Sequence, residues 1–115
     1  MDMYDKIPGH MKQGIAQYIM FGHEPGGFAS AVIRDSLIGA AGHADTQNSL
    51  LLYEYASYMY NYMPTAARGE NMEKWMEERR AEPLSPDEAR CWPTSAWKRE
   101  ADRAWKVHAP TETES

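Results

Sequence analysis

The chain has 115 residues, with 12 basic and 17 acidic side chains and a formal charge of −5. That length allows one domain and no second core, and the acid excess argues against nonspecific binding to nucleic-acid backbone, which needs a clustered basic face. No stretch approaches the roughly 18 apolar residues needed to span a bilayer, and the opening MDMYDKIPGHMKQ has no signal-peptide core, so a cytoplasmic protein is expected.

Pro8 suits a first helical position because the N–H it lacks would be orphaned there. Met11, Ile15, Tyr18 and Ile19 then form one apolar stripe, and Gly22 is a C-terminal glycine, so helix 1 is predicted over 8–21. After HEPGGF, residues Phe28, Ala29, Val32, Ile33, Ser36, Leu37 and Ala40 make an apolar and small-residue face, and helix 2 is predicted from Gly27 to Ala41. Asp45 or Thr46 can cap helix 3, whose interior NSLLLYEYASYMYNYM ends at Pro64. The partly alternating tyrosines make a strand the rival reading, but about 18 uninterrupted residues are long for a strand and ordinary for a helix. With tyrosine on nearly every side, helix 3 is expected to be the central element or to line an interface.

Asn71 can cap a fourth helix carrying Met72, Trp75, Met76 and Arg79, which stops before Pro83. Ser85, Pro86 and Glu88 spell a capping box with proline at the first helical position, and the helix they start is expected to run until Pro93 interrupts it. Thr94 or Ser95 can cap a last helix on which Trp97, Ala101, Ala104, Trp105 and His108 share a face. PTETES is expected to be a disordered acidic tail beyond a single domain spanning 1–108. The fold class predicted is all-α, a self-associating bundle of five or six helices.

Catalytic signatures are scarce. His10, His23, His43 and His108 include no His-Glu-x-x-His and no i, i+4 pair, and Cys91 is alone, which rules out an intrachain disulfide and a cysteine metal cluster. No nucleophile elbow or phosphate-binding glycine loop is present, so a non-enzymatic protein without metal or cofactor is expected. The best local binding candidate is the start of helix 2, where bare N–H groups at Gly26, Gly27 and Phe28 favour a phosphate or carboxylate, with His23 and Arg34 as added donors. The competing reading makes Pro25-Gly26-Gly27 a tight connector between packed helices. Asp35 and Asn48 can face a polar ligand between helices 2 and 3, with Tyr60 and Asn61 beside them. Eight methionines and seven tyrosines suit cores, interfaces and pockets alike. Tyr55, Tyr58, Tyr62, Trp97 and Trp105 are candidate interface anchors.

The stretches IPGHMKQGIAQYI, GGFASAVIRDSLIGAAGHAD and YNYMP together resemble a widespread family of small phage-encoded helical proteins. Its pattern is I-P-x-H-M, then G-G-F-x-x-A-V-[IL], then A-D before the next helix and Y-N-x-x-P after it, and the likeness covers Ile7 to Trp75. Two departures stand out: Asp35-Ser36 where the family has Asn-Asp, and Arg68-Gly69-Glu70 where it has Trp-Gly-Ser. The resemblance implies a phage origin. Two functions are then expected as alternatives: sequestration of a nucleotide-type immune signal without turnover, or inhibition of a host defence protein through an acidic and aromatic surface.

Overall fold

The computed structural model describes residues 3–34 and 51–109. Among them are six α-helices, three short 3-10 turns and no strand, which agrees with the all-α expectation. The α-helices are α1 (Gly9–Phe21), α2 (Gly27–Ile33), α3 (Leu52–Asn61), α4 (Met72–Ala81), α5 (Pro86–Ala89) and α6 (Ser95–His108). The 3-10 turns are Met3–Lys6, Thr65–Ala67 and Gly69–Asn71. Residues 35–50, and with them the predicted end of helix 2, the caps Asp45 and Thr46, and the candidates Asp35 and Asn48, lie outside the described residues.

The helix at the centre is α1, not the tyrosine helix. One side of α1 places Ile15, Tyr18 and Ile19 in the main core with Tyr55, Tyr58, Met72, Trp75 and Trp97, while its other side packs Ala16, Met20 and Phe21 against Ala101 and Ala104 of α6. The alanines of α6 leave room for the larger α1 side chains, so the two helices approach closely. By contrast α3 is buried along one face only, at Tyr55, Tyr58 and Met59, and leaves Tyr53 74% and Tyr60 80% exposed. Ten residues are not enclosed on every side here because, among the described residues, α2, the first 3-10 turn and Trp97 of α6 meet α3 along its buried face.

The C-terminal end of α1 explains how the chain closes. The last carbonyls of a helix have no partner within it. Here Trp75 Nε1 donates to the Ile19 carbonyl at 3.2 Å, Leu84 N to Met20 at 2.9 Å and Arg80 Nε to Gly22 at 3.0 Å. Gly22 ends the helix at φ 70°, as its position predicts.

Other termini follow the sequence with small shifts, except that α3 begins at Leu52 after an uncapped Leu51, several residues beyond the predicted cap at Asp45 or Thr46. Pro8 is the N-cap of α1, one residue outside the helix. The Ser85–Glu88 capping box forms in full, with Glu88 N donating to Ser85 Oγ and Ser85 N to Glu88 Oε1. Its helix ends at Ala89, earlier than Pro93 would require, because Arg90 turns into the left-handed region at φ 54°. Thr94 caps α6 by accepting from Trp97 N, whereas Asn71 makes no cap and instead donates to the Thr65 carbonyl at 3.4 Å.

Candidate functional site

The stretch HEPGGF connects α1 to α2, but its two glycines do not make the turn. Gly22 supplies the positive φ, while Gly26 has φ −67° and ψ 176°, extended backbone open to any residue. A Cβ built at Gly26 would meet nothing within 4 Å. Gly26 is therefore spacious rather than conformationally special, and the connector reading loses its physical reason at that position.

That space is a pocket of about 330 Å³, bounded by His10, Met11 and Gly14 of α1 and by Pro25, Gly26, Gly27, Phe28 and Ala29. Gly14 contributes by omission, since a Cβ there would also meet nothing within 4 Å. Phe28 turns its ring inward, edge-on to Tyr55 at 4.9 Å, and so anchors α2 while its backbone stays at the pocket. The first backbone bond of α2 is Ser30 N to Gly26 O at 2.8 Å, and among the described residues the N–H groups of Gly27, Phe28 and Ala29 have no acceptor. The walls are largely apolar and the start of α2 lies at one end, the usual composition of a small-molecule pocket.

The structure separates the residues that the sequence grouped here. His23 faces away: its Nδ1 meets Gln17 Oε1 at 3.0 Å, and its ring packs against Phe21 and against His108 with centroids 4.9 Å apart. Burial holds the His23 imidazole below its ordinary pKa, with the neighbouring His108 and Arg80 acting in the same direction. Arg34 caps the opposite end of α2 and pairs with Glu73 Oε2 at 2.7 Å. Tyr60 and Asn61 point outward, and Asn61 Nδ2 bonds Ser57 Oγ one turn back at 3.2 Å.

Three of the expected interface anchors are core residues instead. Trp97 stacks on Tyr58 at 4.4 Å and donates Nε1 to the Tyr4 carbonyl at 3.1 Å, and Tyr55, Tyr58 and Trp97 are all buried. Aromatic bulk this large is consumed by a small core before it can be spent on a partner. Trp105 is half-buried on Phe21, and Tyr62 is 38% exposed with its ring edge-on to Tyr4.

Sequence reasoning missed His10, Met11 and Gly14 as pocket walls. They lie on one helical turn, and a glycine in the middle of a helix is the signal that could have drawn attention to them. The remaining reactive groups are subdued. Burial pushes the Cys91 thiol up to about 12 and the Tyr58 hydroxyl well above its usual value, and Tyr58 OH donates to the Cys91 carbonyl at 3.2 Å. Among the described residues no group of three or more His, Cys, Asp or Glu could hold a metal ion, and no helix is long and apolar enough to cross a membrane.

No known protein family matches this chain, and no curated protein or solved structure is similar to it.

Proposed function

We propose that this protein binds a small anionic ligand of nucleotide type without turning it over, and that it serves a phage by sequestering such a signal from host defence. The observation that carries the binding part is the pocket at Gly26. Its volume of about 330 Å³ suits a ring-sized group against Met11 and His10, and the bare N–H groups of Gly27, Phe28 and Ala29 suit a phosphate oxygen. The phage setting comes from the resemblance between Ile7 and Trp75.

Titration calorimetry against a panel of cyclic and linear nucleotides tests the reading, with Gly26→Asp as the control. Aspartate is a favoured N-cap residue and would occupy the same N–H groups. The variant should fold with equal or slightly greater stability and lose binding. Binding that survives in Gly26→Asp, or a folded native chain that takes none of the panel, removes the reading.

The alternative, a protein inhibitor of host defence, is favoured by Tyr53 and Tyr60, which share one exposed side of α3. The expected acidic surface does not support it equally, because the acid excess resides in Asp2, Asp35, Asp45, Glu112 and Glu114, all outside the described residues, and the described part is charge-balanced. Serine at positions 53 and 60 should abolish capture of such a host protein while leaving nucleotide binding unchanged. Capture that persists counts against this alternative.

A further inference from the structure

A second pocket lies at the other end of α2, on residues where the chain departs from the pattern it otherwise resembles. It is an open depression of about 500 Å³ bordered by Arg34, Thr65, Arg68, Gly69, Glu70 and Asn71. Two arginines line it from different elements, Arg34 from the end of α2 and Arg68 from the link between the two 3-10 turns. Guanidinium forks match the paired oxygens of a phosphate or carboxylate.

Neither fork is fully used by the protein. Arg68 donates Nη2 to Thr65 Oγ1 at 3.1 Å, but its Nε is buried with no hydrogen-bond partner. A buried donor without an acceptor is costly, and a turn of the side chain that brings its fork to an oxygen in the pocket recovers that cost. Gly69, at φ 61°, turns the backbone beside this guanidinium, and among the described residues the N–H groups of Gly69 and Glu70 likewise have no acceptor. Arg34 is occupied by Glu73 Oε2 at 2.7 Å in an exposed pair. Exposed pairs of this kind are weak enough to be exchanged for a better acceptor.

We propose that Arg68 is the centre of an oxyanion site for a phosphate group, with Arg34 as the second fork and Glu73 as a built-in competitor. The incoming phosphate accepts from the Arg68 guanidinium, which turns its fork into the pocket, and from the N–H groups of Gly69 and Glu70, and it draws Arg34 away from Glu73. Glu70, exposed at the rim, opposes the anion and keeps affinity modest. The site shares no lining residue with the pocket at Gly26 and does not depend on the function proposed above.

The test is calorimetric titration of the full chain at low salt with two probes, inorganic phosphate and a nucleoside 5′-monophosphate. Arg68→Gln should weaken phosphate at least 10-fold, Arg68→Lys should weaken it less, and Glu73→Gln should tighten it several-fold by releasing Arg34. Equal binding of the two probes identifies free phosphate as the occupant, and a 10-fold preference for the monophosphate identifies a phosphate monoester. Failure of both probes to bind the native chain overturns the site, as does unchanged affinity in Arg68→Gln. If Arg68→Gln fails to fold, Glu73→Gln decides, and weaker or unchanged binding in that variant overturns the competitor role and the proposal. Gly26→Asp should leave phosphate affinity at this site unmoved, so loss of the Gly26 pocket and loss of this site are read separately.

Discussion

Two glycines in this chain do different work, and the difference is set by what surrounds each backbone. Gly22 is required: its φ of 70° is strained for any side chain, and a Cβ there would land on the Met76 carbonyl oxygen and come within 3.0 Å of Met76 Cα. Backbone cannot move aside as a flexible side chain can. Gly22→Ala is therefore expected to cost about 2 kcal/mol or more, measured as a fall in the urea midpoint; an unchanged midpoint would contradict the close approach of α1 to α4. Gly26 needs no special φ, and its small size matters only to the pocket. The sequence suggested the role of Gly22, since a glycine after an apolar stripe marks a helix end. It could not distinguish the conformational glycine from the spacious one, because φ depends on the path of the chain after α1.

Elements in this fold are joined by polar contacts that no local pattern announces. Lys12 faces inward from α1, its side chain 8% exposed, with Nζ 3.4 Å from Asp5 Oδ1 of the first 3-10 turn. The same carboxylate accepts from Thr94 Oγ1 at 2.5 Å, so Asp5 ties α1, the N-terminal turn and the start of α6 together. Removing Asp5 leaves the Lys12 ammonium buried and unpaired, whereas removing Lys12 leaves a carboxylate that is partly exposed and still bonded to Thr94. Asp5→Ala should thus lose about 2 kcal/mol, below the usual range for buried pairs because Asp5 is 26% exposed, whereas Lys12→Met should change stability by less than about 1 kcal/mol. Thermal unfolding of both variants checks the order, and equal losses would refute it. The capping box at Ser85 and the apolar face of α6 were readable because they depend on residues three or four apart. Asp5 meets Thr94 across 89 positions, a separation at which sequence offers no signal.

For the molecule as a whole, the docking of α6 onto the end of α1 brings His23 and His108 together beside Phe21, Trp105 and Arg80. His23 is held below its ordinary pKa of 6.5 in the folded state, so the unfolded chain takes up a proton that the folded one resists. The sign follows from linkage: this contribution to stability is complete above pH 6.5 and is lost as pH falls from there through the lower folded value. His23→Gln should therefore show a smaller drop in urea midpoint between pH 7.5 and 5.5 than the native chain, and an identical drop would remove His23 as the cause. The sequence by itself determined the all-α class and most helix ends, because propensity, caps and 3.6-residue periodicity are local properties of the chain. Only the tertiary structure decided which helix is central, which aromatics are spent in the core, and where His23, Gly26 and Arg34 come to lie. Those outcomes depend on which faces are covered by partners distant in the chain, and HEPGGF is one pocket wall rather than a whole site for that reason.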